Sequence, residues 1–281
     1  MRFVSYIAGS GPAYGIATDK GIVDLSRRVG KRYPDLKALI AQEAFAEAEK
    51  SAGASPDFAA DSVTFLPVIP DPGKILCIGL NYEEHRVEAQ RDATENPSVF
   101  VRLPESQVGH RQPLLRPRES EQLDYEGEIA VVIGKPGRRI AERHAWQHIA
   151  GYACYNDGSV RDWQRHTTQW TPGKNFAATG GFGPWMVTAD EIPPGAEMTL
   201  VTRLNGREMQ RADTGMMIFK IPRLIAYCST FLPLAPGDVI VTGTPGGVGS
   251  RRDPPVWMRE GDLVEVEVDR VGTLANTIAA G

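Results

Sequence analysis

Short apolar runs separated by clusters of Gly and Pro occupy most of the chain from about Val63 onward. Their β-branched residues and their lengths predict strands, without the regular strand-helix alternation that builds a dinucleotide-binding fold. The pattern therefore predicts a mainly β (α+β) structure with few helices. The predicted strands are KILCIG, SVFV, EIAVVIG, IAGYACY, DVIVTG and LVEVEV.

The first 70 residues show a different pattern. The runs RFVSYIA and YGIAT, separated by Gly and Pro, predict a small β unit. Apolar positions at helical spacing predict one amphipathic helix over residues 36–50, and SAGASPDFAADS after it is typical of a linker. We therefore predict a small N-terminal β/α domain with its linker at residues 1–70 and a larger domain at residues 71–281.

Composition limits the classes of function. With 281 residues, 42% hydrophobic and 23% charged, the chain is expected to fold around a core and to carry its function in a pocket. The formal net charge of -4 argues against nucleic acid as a partner. No run approaches the roughly 20 apolar residues of a membrane span, and the N-terminus resembles a strand more than a signal peptide. We expect a cytoplasmic protein that binds neither nucleic acid nor membrane.

The three cysteines, Cys77, Cys154 and Cys228, are far apart and form no CxxC pair. This spacing offers neither a zinc site nor a disulfide framework, so each is expected to be a reduced core residue.

The segment LDYEGEIAVVIGK at residues 123–135 is the densest chemical signal. Side chains alternate along a strand, so Glu126 and Glu128 are expected to face the same way. Burying two adjacent carboxylates is costly unless a cation lies between them or one carboxylate holds a proton. The alternative is a solvated acidic pair, and the unbroken apolar run IAVVIG argues against it because such a run is covered on both faces.

A second predicted strand ends at Asp157, which could bring a third carboxylate to Glu126 and Glu128. Three carboxylates suit a hard cation, Mg²⁺ first, with Mn²⁺ or Ca²⁺ possible.

The segment GLNYEEHRVEA contains His85 and Glu88 three residues apart in a predicted short helix. At this spacing the carboxylate can orient the imidazole and raise its basicity, as in a general base acting on water. A chance pair on an exposed helix is the alternative.

Six motifs occur in a fixed order over about residues 73–279. They are GLNYEEHRVEA (79–89), LDYEGEIAVVIGK (123–135), IAGYACYNDGSVRDWQ (149–164), QWTPGKNF (169–176), LNG…MQ (204–210) and VTGTPGGVG (241–249). Together they resemble the fumarylacetoacetate hydrolase family. The resemblance implies the family's mixed β-sandwich roll, Glu126, Glu128 and Asp157 as metal ligands, and a homodimer.

The same resemblance implies roles for further residues. His85 and Glu88 would lie on a segment that closes over the metal and activates water, and Lys174 would stabilise negative charge on a substrate oxygen. An ion pair that anchors its loop is as good an interpretation of Arg161 as substrate contact. The substrate-binding residues implied in this way are Tyr82, Arg161, Gln210 and Thr244.

The activity expected first is hydrolysis of a carbon-carbon bond in a ketonic substrate, a small anionic 2,4-dioxo acid of acylpyruvate type. In this scheme His85 activates the water, and Mg²⁺ stabilises the enolate that cleavage leaves. Breakdown of aromatic ring-fission products is the setting that relatives suggest. An isomerase or an oxaloacetate decarboxylase using the same enolate is the alternative, and a silent metal-binding module is a third. Ala177 and the stretch at 181–184 depart from the family pattern, so the pocket wall differs.

Overall fold

The computed structural model describes residues 1–9 and 11–281, and strands outnumber helices within them. This confirms the predicted mainly β class. The helices are α1 (Leu25–Val29), α2 (Leu36–Ala41), α3 (Phe45–Glu49), α4 (Glu83–Glu88), α5 (Arg161–Gln164), α6 (Thr171–Lys174) and α7 (Ile221–Phe231). The strands are β1 (Arg2–Ala8), β2 (Gly11–Thr18), β3 (Gly21–Asp24), β4 (Thr64–Phe65), β5 (Ile75–Gly79), β6 (Ser98–Arg102), β7 (Gln107–Val108), β8 (Leu114–Arg116), β9 (Leu123–Asp124), β10 (Gly127–Ile133), β11 (Ile149–Asn156), β12 (Ser159–Val160), β13 (Gly180–Thr188), β14 (Thr199–Leu204), β15 (Arg207–Asp213), β16 (Val239–Val241), β17 (Leu263–Val268) and β18 (Gly272–Ala280).

One large mixed sheet runs through the described part of the chain in the order β3-β2-β1-β13-β11-β10-β16-β5-β6. A second sheet has the order β15-β14-β17-β18-β8, and β9 pairs with β12 in a short ribbon. All six strands predicted from apolar runs are present, as β5, β6, β10, β11, β16 and β17.

The centre of the large sheet is buried on both faces. Every residue of β10 and β11 is buried. Ile129 and Val131 pack into the core on one face, and Ala130 and Val132 into the core on the other. This arrangement explains why IAVVIG shows no polar alternation, because neither face meets water. All three cysteines are buried and free, as predicted.

The N-terminal strands continue the large sheet. β1 pairs with β13 in antiparallel register, with Phe3 opposite Met186. Phe3 also shares a hydrophobic core with Ala130 of the central strand. The division at residue 70 stays a prediction; the pairing shows that the segment before it packs against the larger one through a common sheet.

The single helix predicted over residues 36–50 is wrong, because two short helices, α2 and α3, occupy this region. The Ala44 N–H bonds the Leu39 carbonyl and the Glu43 N–H bonds that of Ile40, while Glu43 has a φ of 51°. These two bonds and the left-handed residue form a Schellman end, which stops a helix. The turn lets Phe45 reach the ring of Phe3, 5.6 Å away between centroids.

No helix in the described residues has the length and apolar character needed to cross a membrane.

Candidate metal centre

The register of β10 and β11 brings the predicted carboxylates together. Gly127 lies opposite Asn156 in the pairing, and the Asp157 N–H donates to the Glu126 carbonyl at 2.8 Å. One carboxylate oxygen from each of Glu126, Glu128 and Asp157 lies within 4.8 Å of the others. All three residues are buried, with exposures of 5% or less. The predicted triad is therefore assembled, and its oxygens could hold one hard cation.

Three buried basic side chains neutralise part of this charge. Lys174 Nζ donates to Glu126 Oε2 at 2.7 Å and to Asp157 Oδ2 at 2.6 Å. Arg102 Nη1 donates to Asp157 Oδ1 at 2.5 Å, and Arg161 Nη1 lies 2.7 Å from Glu126 Oε1. Such pairs hold a carboxylate in one orientation, since a buried charge that loses its partner is strongly destabilising.

Glu128 has no basic partner of this kind among residues 1–9 and 11–281. Its carboxylate accepts the Gly243 N–H at 2.5 Å. Burial, and then the charges of Asp157 and Glu126, raise the pKa of Glu128 well above its usual value. A divalent cation among the three oxygens would supply the missing positive charge, so the donor set fits a metal.

The pKa of Glu126 is shifted in the opposite direction to that of Glu128. Burial alone would raise its pKa, but the charges of Lys174 and Arg161 outweigh burial and hold the pKa of Glu126 far below its usual value. Burial likewise opposes the ionised form of Lys174, but Asp157 and Glu126 raise its pKa. Both groups are therefore ionised at neutral pH.

The dyad predicted from spacing is formed on α4. His85 Nδ1 lies 2.7 Å from Glu88 Oε1, and Glu88 Oε2 accepts the Gly247 N–H at 3.0 Å. The carboxylate on Nδ1 favours the tautomer with its proton there, which leaves Nε2 free to accept a proton. His85 is 7% exposed, so the pair does not lie on an exposed helix face.

The glycine-rich segment 241–249 ties these parts together. Its N–H groups at Gly243, Gly247 and Gly249 each bond a different carboxylate, those of Glu128, Glu88 and Asp124. Gly243 and Gly247 have φ values of 100° and 95°, a region that side chains strongly disfavour. The N–H groups of these three glycines therefore bond carboxylates of the protein itself.

A cavity of about 500 Å³ opens onto the centre. Its lining includes Glu126, Glu128, His85, Lys174, Arg161 and Thr244. Two of the three predicted metal ligands, the predicted base, the lysine and two of the predicted substrate contacts therefore border one space.

The two other predicted substrate contacts lie behind the cavity wall. Tyr82 is 2% exposed within the core, and Gln210 is likewise 2% exposed. The Gln210 side chain accepts the Gly127 N–H at 3.0 Å and donates to Thr244 Oγ1 at 2.8 Å. These bonds tie β10 to the glycine-rich segment. Substrate contact by Tyr82 and Gln210 stays a prediction.

Two further residues of the centre escaped the sequence analysis. Arg102 ends β6 and is 2% exposed, and it bonds Thr179 and the Gly158 carbonyl besides Asp157. Asp124 is fully buried and accepts Arg161 Nε at 2.8 Å. Asp124 lies within the acidic motif itself, and Arg102 is a charged residue at the end of an apolar strand, so both carried a weak signal.

Arg161 makes the anchoring ion pairs that one of its two interpretations required, with Asp124 and Glu126. Arg161 also lines the cavity, and its contact with a substrate stays a prediction.

Comparison with known proteins decides the family. The protein-family model for the C-terminal domain of fumarylacetoacetate (FAA) hydrolase matches residues 74–279. The chain belongs to the fumarylacetoacetate hydrolase family. A curated relative from this comparison, named oxaloacetate tautomerase fahd2, mitochondrial, from Xenopus laevis, is 41% identical over 219 residues, which cover 77% of this chain and 69% of the relative.

Solved structures of fumarylacetoacetate hydrolase relatives share the fold over the whole chain. A maleylpyruvate hydrolase from Sphingobium sp. SYK-6, in complex with manganese(II) and pyruvate, has a TM-score of 0.83 at 27% identity, with 100% of both chains covered. A 5-carboxymethyl-2-hydroxymuconate delta-isomerase from Mycobacterium smegmatis has a TM-score of 0.78 at 29% identity with the same coverage. The expected family fold is confirmed, and hydrolases and isomerases both use it. The cytoplasmic location stays a prediction.

Proposed function

We propose that the protein interconverts the enol and keto forms of oxaloacetate, or of a closely related small 2-oxo acid. The observation that carries this proposal is that His85, which Glu88 orients, lines the same cavity as Glu126 and Glu128 of the buried carboxylate triad. A base next to a site for a 2-oxo acid is what proton transfer at the adjacent carbon requires. The relative that is 41% identical and named oxaloacetate tautomerase supports this reaction ahead of carbon-carbon cleavage.

The residues of this chain would have distinct roles in this reaction. Glu126, Glu128 and Asp157 would hold Mg²⁺, which supplies Lewis-acid stabilisation of negative charge on the 2-oxo oxygen. His85 Nε2 takes the proton from the carbon beside the oxo group and returns it to the enol oxygen, while Glu88 keeps the ring oriented. Lys174 adds a positive charge beside the developing enolate. No water or second substrate is consumed.

Hydrolysis of a 2,4-dioxo acid, expected first from the sequence, is the second candidate. The same dyad could activate a water, and the likeness to the maleylpyruvate hydrolase favours this candidate. An oxaloacetate decarboxylase would use the same enolate but release CO₂.

The test follows the decay of enol-oxaloacetate by absorbance with Mg²⁺ or EDTA, and measures pyruvate in the same samples. We expect magnesium-dependent acceleration without pyruvate, its loss in His85→Gln, and wild-type rates in His144→Gln, which changes an exposed histidine away from the cavity. Thermal shift by Mg²⁺ should persist in His85→Gln. Equal rates for the wild type and His85→Gln would reject the proposal. Pyruvate release from oxaloacetate would instead indicate the decarboxylase, and pyruvate release from 2,4-dioxo acids the hydrolase.

A further inference from the structure

The cavity extends from the triad to an exposed rim that carries arginines. Its inner end is formed by buried groups, among them Glu128, His85 and Lys174. Arg165 and Arg251 line the same cavity and are exposed. A ligand bound at the triad therefore extends toward positive charge if it is long enough.

The rim arginines have no ion-pair partner in the described part of the chain. Within residues 1–9 and 11–281, neither Arg165 nor Arg251 forms an ion pair, and the acidic residue on the rim, Asp92, pairs with neither. Arg251 makes a 3.3 Å bond to the Ala89 carbonyl. Burial, and then the charges of Arg161 and Arg251, lower the pKa of Arg165. An anion between these groups would relieve that repulsion.

Arg161 offers an unused donor between the rim and the triad. It is 5% exposed and lines the cavity, and it uses Nε for Asp124 and Nη1 for Glu126 and Gln164. Its Nη2 is buried and has no hydrogen-bond partner in the described part of the chain. A buried donor without an acceptor is costly, which points to an acceptor on the ligand. Arg165 follows Arg161 by about one helical turn, at the end of α5.

We propose that Arg165 and Arg251 form a second anion subsite, which binds a carboxylate at the far end of the substrate, with Arg161 Nη2 as the inner donor. This inference rests on the proposed function only for the 2-oxo acid at the inner end. The cavity volume of about 500 Å³ lies in the range of sites for ligands much larger than a four-carbon acid, about 300–1,000 Å³. The substrate class is therefore longer 2-oxo dicarboxylates, which should bind more tightly than oxaloacetate.

The test compares two ligands of equal length by calorimetric titration of the Mg²⁺-loaded full chain: 2-oxoheptanedioate and 2-oxoheptanoate, which differ in the terminal carboxylate. We expect the wild type to bind the dicarboxylate about tenfold more tightly. Arg165→Gln with Arg251→Gln should cut this preference below about twofold and leave affinity for the monocarboxylate unchanged. Raising the salt concentration should weaken the preference in the wild type, because the rim is exposed.

The matched control is Arg259→Gln, an exposed arginine outside the cavity, which should keep the full preference. Equal binding of the two ligands to the wild type, no binding of either, or a preference that survives the double substitution would overturn the inference. Because binding is measured without turnover, a preference that is present while oxaloacetate is not tautomerised would support the subsite and reject only the proposed reaction.

Discussion

Replacing Glu128 by glutamine tests the electrostatic account of the centre. Glu128 is the buried carboxylate whose charge no basic partner meets in the described residues, while Glu126 and Asp157 share Lys174. Glutamine keeps the size and can still accept the Gly243 N–H, but it removes the charge. The substitution should therefore stabilise the metal-free protein and abolish its response to metal.

The magnitude follows from the separation of the oxygens. At the 4.8 Å that bounds these distances, two unit charges would repel by about 3.5 kcal/mol at an effective dielectric constant of about 20. The metal-free protein carries up to this cost, either as repulsion or as uptake of a proton by Glu128. Lys174 offsets part of this repulsion, because its charge favours the ionised form of Glu128. We expect a net gain of about 2 kcal/mol for Glu128→Gln, which corresponds to a rise of roughly 4–8 °C in Tm.

Thermal unfolding in EDTA and in Mg²⁺ measures both effects. Saturating Mg²⁺ should stabilise the wild type by about 2.7 kcal/mol at a concentration one hundred times Kd, and the variant by almost nothing. Glu260→Gln, the same change at an exposed site, is the control and should alter neither value. The reasoning is refuted if Glu128→Gln in EDTA melts at or below the wild-type temperature, or if Mg²⁺ stabilises both proteins equally.

Two further predictions concern buried charge and pH. Arg102→Met removes a buried ion-pair partner of Asp157 and should lower the free energy of unfolding in urea by about 3–5 kcal/mol. The exposed Arg118→Met is the control and should lower it by less than about 1 kcal/mol. Similar losses in the two variants would contradict the role assigned to Arg102. Burial, aided by the charge of Arg111, lowers the pKa of His110 from 6.5 to about 4. The contribution of His110 to the free energy of unfolding is fully present above pH 6.5. It should be lost, about 3 kcal/mol in all, as the pH falls from 6.5 to about 4, because the unfolded chain binds the proton at the higher pH. His110→Asn should flatten the curve of unfolding free energy against pH, and parallel curves for the two proteins would exclude His110 as the cause.

The metal ligands could be predicted because their signal is local. Glu126 and Glu128 lie two residues apart at a strand that is apolar on both faces, so their shared direction follows from strand geometry. A second predicted strand that ends at Asp157 suggested the third carboxylate, and the family resemblance assigned it as a ligand. The register of β10 with β11 brings the three together. The prediction of one helix over residues 36–50 was wrong, because helix propensity does not reveal the left-handed turn at Glu43 that lets Phe45 pack against Phe3.

The sequence by itself determined the mainly β class, the six core strands, the spacing of His85 and Glu88, and the pair of glutamates, because each depends on residues within one element. Only the tertiary structure decided which basic side chain or backbone N–H group bonds which carboxylate. Arg102 and Asp157 are 55 positions apart, and the glycine N–H groups that bond Glu88, Asp124 and Glu128 come from a segment more than 100 positions further along the chain. Such partners are chosen by strand order and loop path, and local sequence patterns do not encode either of these.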